Sequence, residues 1–233
     1  MIVSSSRPSF APFPGLFQKA MLSDVLVLLD SVQFPRGTTW LNRNRFKNDQ
    51  GTYWMTVPVW RKGLGLQNIN EVRICREGPW ALKHLSGLQA AYGKAPFFEE
   101  CEPFFSALFS RIPELLVDLN LHIFRYIMDL LKIETRVLLL SELGLREKEP
   151  ELSVALCRRL GGVSFLTQTS AAKYLPEKKF EEASIERRVF RVRPIVYPQL
   201  WGPFIMNLSV LDLIFTCGPV TARRILAKPL ARS

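Results

Sequence analysis

The sequence predicts an α/β fold: a mainly parallel, Rossmann-like sheet with an inserted antiparallel element and a helical C-terminal segment. Three observations carry this. Val25-Leu26-Val27-Leu28-Leu29 is a near-continuous apolar run, the signature of a strand covered on both sheet faces. Short β-rich runs alternate with helical patterns before and after a long helical middle. Between them, residues about 40–78 switch to aromatic and β-branched alternation, as an antiparallel insertion would.

In order, Ile2–Ser5 reads as a strand and Pro8-Ser9-Phe10-Ala11-Pro12-Phe13-Pro14-Gly15 as a turn. A helix through about Met21 follows, with Leu16, Phe17 and Ala20 on its apolar face, and Val25–Leu29 closes a βαβ unit. Thr52–Trp60 alternates as a strand, with Pro58 marking an edge, and Val72–Cys75 is its candidate partner. Gly78-Pro79-Trp80 opens a helix that runs to about Tyr92. Pro96–Ile133 is helical, with interruptions at Pro103 and Pro113. Arg136–Leu140 returns to strand, Pro150–Leu160 is a helix closed by Gly161-Gly162, and Val163–Leu166 is a strand. A short helix at Ser170–Tyr174, a strand at Arg188–Arg193, and helices around Leu208–Phe215 and after Gly218-Pro219 complete the chain. Its 233 residues suit one domain, 1–233, with the β insertion at about 40–78 and a helical segment at about 79–133.

Composition narrows the function classes. Hydrophobic residues make up 48% and charged residues 22%, which excludes global disorder. The N-terminus lacks the pattern of a signal peptide and no apolar run is long enough to span a membrane, so the expectation is a cytoplasmic protein. Four scattered cysteines and two histidines give neither a disulfide framework nor a metal site, and the residues leave the cofactor undetermined. The net charge of +10 is concentrated in two segments. Residues 36–62 carry Arg36, Arg43, Arg45, Lys47, Arg61 and Lys62 against Asp49, and residues 183–233 carry eight cations against Glu186 and Asp212. Such a field favours an anionic partner: a nucleotide or sugar phosphate, nucleic acid, or acidic lipid.

The densest chemistry is Trp40-Leu41-Asn42-Arg43-Asn44-Arg45-Phe46-Lys47. As a strand it places Asn42, Asn44 and Phe46 on one face and Arg43, Arg45 and Lys47 on the other. Forked guanidinium donors and amides suit phosphate. A charged edge strand that resists aggregation fits the pattern equally well. Asp30 and Gln33 follow the second strand at its C-terminal edge, where α/β sheets bind ligands. Asp30 has the chemistry of a general base, and also of an ion-pair partner for Arg43 or Arg45. Asp212, on an apolar helix, needs a partner, for which an arginine is the natural candidate. Cys217 reads as a buried, inert cysteine and His122 as structural. Tyr197-Pro198-Gln199-Leu200-Trp201-Gly202 is either a stacking loop for a base or sugar or a connection anchored by Trp201.

Taken together, the blocks resemble the WbqC-like family over nearly the whole chain. They include Pro8-Ser9-Phe10 to Gly15-Leu16-Phe17, Asp24-Val25 to Phe34, Asn42-Arg43-Asn44-Arg45, Trp54-Met55-Thr56-Val57-Pro58, Lys83-His84-Leu85, Tyr92-Gly93-Lys94-Ala95-Pro96 and Ser141-Glu142-Leu143. Tyr197 to Gly202 and Ser209 to Gly218 complete the series. The resemblance implies a transferase acting on a phosphate-bearing, nucleotide or nucleotide-sugar type substrate in surface-polysaccharide (O-antigen) biosynthesis, with aminoacyl or glycyl transfer suggested. On that reading Arg43, Arg45, Lys47 and Lys83 hold the anion, Gln33, Asn42 and Asn44 orient substrate, and His84 or Asp30 moves the proton. Arg7 in the turn after the first strand, Thr167, Thr169 and Tyr174, from the turn after the Val163–Leu166 strand, and Tyr197 and Gln199 add binding contacts. Arg7 stands where the family usually has Gln, and Thr167-Gln168-Thr169-Ser170 replaces a Ser-Gly turn. A non-catalytic member and a nucleic-acid (tRNA-type) binding module are the alternatives.

Overall fold

The computed structural model describes residues 1–192 and 194–228; Arg193 and Arg232, counted in the second basic segment, lie outside them. Strand β1 (Ile2–Ser6) leads through α1 (Pro14–Met21) to β2 (Val25–Leu28). The insertion carries β3 (Arg43–Asn48) and β4 (Gly51–Thr56), and the helical middle is α2 (Trp80–Tyr92), α3 (Phe98–Ser110) and α4 (Leu116–Leu130). Then come β5 (Arg136–Leu139), α5 (Leu140–Leu143), α6 (Glu151–Leu160) and β6 (Ser164–Gln168). The chain continues through α7 (Thr169–Ala172), α8 (Glu177–Glu181) and β7 (Glu186–Phe190) to α9 (Val210–Leu226).

Five strands form one sheet in the order β5-β2-β1-β6-β7, and every pairing in it is parallel. All four residues of β2 are buried because both faces are covered, which is why its sequence shows no alternation. Leu26 and Leu28 join the larger core with Leu16, Phe17 and the helical middle, while Val25 and Val27 join a second core with Val3, Leu156, Phe165 and Phe180. From β1 the chain builds outward through β2 and β5 on one side, then through β6 and β7 on the other. The strand order therefore reverses between β1 and β6, the position where open α/β sheets take ligands.

β3 and β4 form a separate antiparallel pair, with Asn44 opposite Met55. The predicted Thr52–Trp60 strand ends at Thr56, four residues early: Pro58 cannot donate to a ladder, and the chain continues through a single bridge, Val59 to Ile74. Pro103 stays inside α3, whereas Pro113 falls in the break before α4. The strand predicted at Arg188–Arg193 runs three residues earlier at its C-terminal end, to Phe190. Gly218, with φ of 76°, kinks α9 where two helices are expected, and its missing Cβ would sit 2.8 Å from the Phe97 ring.

Candidate functional site

The C-terminal ends of β1 and β6 open into a cleft of about 540 Å³. Ser9 and Phe13 come to it from the turn after β1, Gln168 and Ser170 from the start of α7, and Trp40, Asn44 and Arg45 from the insertion. Val192 and Pro194, beyond β7, and Met206 and Asn207, before α9, complete the wall. Gly15 permits this assembly. A Cβ there would meet the Phe13 ring at 2.4 Å and Val192 at 2.9 Å, so only glycine lets the helix start lie against the wall.

The amides of the basic strand hold backbone. A proline-rich turn leaves carbonyls that no ladder can use, and a primary amide is a compact donor for them. Asn44 Nδ2 donates to Ala11 O at 2.6 Å and Phe10 O at 3.2 Å, and Asn44 Oδ1 accepts from Arg45 N at 2.7 Å. Asn42 Nδ2 donates to Val57 O, and Asn120 Nδ2 to Pro8 O and Leu41 O. These bonds fix the β1 turn against β3 and hold Ala11 at its φ of 40°.

The three cations of β3 do not share one open face. Arg43 lies over the Trp54 ring at 3.7 Å. Arg45 stands beside the exposed Trp40 and Trp54 rings, and one of its terminal nitrogens donates to Met206 O and Asn207 O. Neither guanidinium is in any of the four ion pairs among the described residues. Lys47 is buried, covered by the loop that follows Tyr197, and its Nζ donates to Gln199 Oε1 and to Pro203 O at 2.7 Å. Gln199 in turn clamps both backbone polar groups of Ile205.

Behind this loop lies Asp212. The expected arginine partner is replaced by Tyr92, whose hydroxyl donates to Asp212 Oδ2 at 2.8 Å. Burial pushes the Asp212 carboxyl above its ordinary range, opposed by the Tyr92 hydrogen bond and by the nearby Lys47 charge. The same burial lowers the Lys47 ammonium. Lys47, Tyr197 and Gln199 thus come together with Tyr92 and Asp212, away from the cleft lining.

Other candidates are dispersed. The arginine pairing expected for Asp30 is replaced by Ser141: both Asp30 oxygens accept from it, one from the backbone N–H at 2.9 Å and the other from the hydroxyl at 2.5 Å, at the start of α5. That position draws a carboxylate to free helix N–H groups. His84 is buried among Trp80, Phe109 and Phe10, and burial lowers its pKa to about 4. Its Nδ1 has no hydrogen-bond partner. Lys83, on the same helix, faces solvent, as do Gln33, Arg7 and Tyr174. Thr167 is buried in β6, and Thr169 Oγ1 reaches Phe190 O. His122, read as structural, is exposed on α4, where its Nδ1 hydrogen-bonds the Asp118 carbonyl of its own helix. Trp201 does anchor its loop, donating its indole N–H to Ala91 O at 2.7 Å.

The model of the WbqC-like protein family matches residues 7–224. The chain belongs to this family. A relative 31% identical over 219 residues, spanning 93% of this chain and 94% of its own length, is the uncharacterized protein Rv1507c of Mycobacterium tuberculosis (strain ATCC 25618 / H37Rv). No solved structure matches the chain. In this WbqC-like protein the Asn-Arg-Asn-Arg block joins the β1 turn to the cleft, and the Tyr197–Gly202 block covers Lys47. Ser9, Phe13, Trp40, Gln168, Ser170, Val192 and Asn207 line the cleft without having been singled out as site residues. Gln168 and Ser170 flank Thr169, and Trp40 opens the basic stretch two residues before Asn42; Val192 and Asn207 gave no sequence signal. Among the described residues no group of three or more His, Cys, Asp or Glu side chains could hold a metal ion, and no helix is long and apolar enough to cross a membrane.

Proposed function

We propose that this WbqC-like protein binds a phosphate-bearing small molecule of nucleotide or nucleotide-sugar type in the β1–β6 cleft. Group transfer in surface-polysaccharide biosynthesis, the role that the family resemblance implies, is the setting of the proposal. The observation that carries it is Arg45: a guanidinium at a sheet switch point, held by carbonyl oxygens and paired with no carboxylate among the described residues, beside the exposed rings of Trp40 and Trp54. Carbonyls orient the fork without neutralising it, so a phosphate supplies the missing charge. Trp40 and Phe13 offer faces for a base or sugar ring, and Ser9, Ser170 and Gln168 supply neutral hydrogen bonds. Asn44 builds the wall, its amide engaged by the β1 turn.

Isothermal titration with nucleoside diphosphates, nucleotide sugars and inorganic phosphate tests this reading. One nucleotide class binds with one-to-one stoichiometry, and Arg45→Ala weakens it roughly tenfold or more, the worth of a charge-assisted hydrogen bond. Trp40→Ala weakens nucleotides more than phosphate. Binding that survives both substitutions, or no binding at millimolar ligand, overturns it.

A specific observation favours a second reading, a ligand-binding member without turnover: among the described residues no carboxylate or imidazole lines the cleft, Asp30 is engaged by Ser141, and His84 is buried among aromatic rings. Incubating the bound nucleotide sugar with amine and hydroxyl acceptors separates the two, since a non-catalytic member returns it unchanged. The nucleic-acid alternative makes a different prediction, RNA binding whose affinity falls steeply with salt.

A further inference from the structure

We propose that the turn spanning residues 60–66, with Arg36 beside it, docks this protein onto an anionic lipid surface. The inference does not depend on the cleft. Three large apolar side chains stand in solvent within seven residues of one tight turn: Trp60 (45% exposed), Leu64 (54%) and Leu66 (58%). The turn is closed by a hydrogen bond from Leu64 N to Arg61 O and is permitted by positive φ at Gly63 and Gly65. Its geometry is therefore built, and it drives the side chains outward rather than into the core. Arg61 lies over the Phe34 ring at 4.5 Å and donates to Arg36 O and Gly37 O, which brings the exposed Arg36 next to the turn; Lys62 is exposed at its tip.

The chemistry of this patch selects the partner. From Ser31 to Gln67 the only acid is Asp49, so the patch is cationic as well as apolar. Leu64 and Leu66 offer nothing to a phosphate or a nucleobase; they gain only by entering a non-polar phase. Arg36 and Lys62 can extend along the headgroups while their stems stay in the interface, and an indole such as that of Trp60 suits the boundary between water and acyl chain. A projecting apolar tip flanked by cations matches a bilayer with acidic headgroups. With no helix among the described residues able to cross a membrane, the attachment is peripheral.

Cosedimentation of the full chain with unilamellar vesicles tests this. Vesicles of phosphatidylcholine with about 30% phosphatidylglycerol should retain the protein at moderate salt, and pure phosphatidylcholine should not. Leu64→Gln/Leu66→Gln should lower partitioning at least tenfold, and Lys62→Ala about fivefold. These side chains are exposed, and unchanged circular dichroism and unfolding midpoint establish that the variants fold. Equal binding to both vesicle types, no binding to either, or full retention of the double leucine variant overturns the proposal. Retention on RNA that the same substitutions abolish, with vesicles left unbound, overturns it in favour of nucleic acid. Self-association lost with the same variants, again without vesicle binding, overturns it in favour of a second copy of the chain.

Discussion

The Tyr92 hydroxyl donates to Asp212 Oδ2 at 2.8 Å while accepting the backbone N–H of Lys47 at 3.0 Å, so one phenol joins α2, α9 and β3 in the interior. Neither Tyr92 nor Asp212 is exposed. Removing the phenol oxygen leaves two buried polar groups short of a partner, the more costly half of any hydrogen-bond deletion. Tyr92→Phe is therefore expected to lower stability by about 2–4 kcal/mol in urea unfolding. Asp212→Asn, which removes the buried charge yet keeps an acceptor, should cost less. Equal losses for the two would refute the account.

His84 gives the chain a defined acid weakness. Its pKa falls from 6.5 to about 4 in the folded protein because burial among aromatic rings penalises the imidazolium, with the Thr56 backbone opposing. A depressed folded pKa means that the unfolded chain takes up the proton first. The contribution is whole above pH 6.5 and is lost as the pH falls toward 4, about 3 kcal/mol in all. Asp212, raised by burial, works in the opposite direction as pH rises above its ordinary value. The difference between wild type and His84→Gln thus isolates the histidine: the variant's unfolding free energy should fall less between pH 7 and pH 4.5. Parallel pH curves would exclude the imidazole as the cause.

Lys47 holds the loop that covers it. Its Nζ reaches Gln199 Oε1 and Pro203 O, while Arg45 holds Met206 O and Asn207 O further along. Lys47→Met keeps the buried stem but removes the donors and the charge beside Asp212. Amide exchange in residues 199–207 should speed up by at least tenfold, with the β1–β2–β6 sheet unaffected. A uniform rise across the chain would instead point to global destabilisation.

The sheet was legible because its strands obey local rules. Val25–Leu29 shows two-sided burial directly, and Gly218-Pro219 marks the break in α9. The cleft was legible only in part. Arg45 carried a charge signal, but its neighbours Ser170, Val192 and Asn207 meet it through topology, and no local pattern encodes where β6 and β7 lie relative to β1. Lys47 misled for a related reason. Alternation correctly put it opposite Phe46, yet the cover over that face comes from a loop about 150 residues away in sequence. Asp30 was correctly placed at a strand end; its partner, Ser141, became visible only once β5 was known to lie beside β2.

Asn44 offers the sharpest separation between building a site and touching its ligand. It lines the cleft, but Nδ2 is spent on Phe10 O and Ala11 O, and Oδ1 on Arg45 N. Asn44→Ala should cost about 2–4 kcal/mol, the loss of buried amide bonds with little chance for water to replace them. The turn that bears Ser9 and Phe13 would loosen with it, and so would the strand position of Arg45. Asn44→Asp keeps the acceptor for Arg45 N but loses both donors and sets a carboxylate against two carbonyls, so it should be at least as destabilising. The ligand-contacting variant Arg45→Ala is expected to behave differently. It removes a half-exposed side chain, so binding should suffer more than the unfolding midpoint. If Asn44→Ala instead unfolds like wild type and loses only ligand affinity, Asn44 contacts the ligand directly, and the turn is held by something other than its amide.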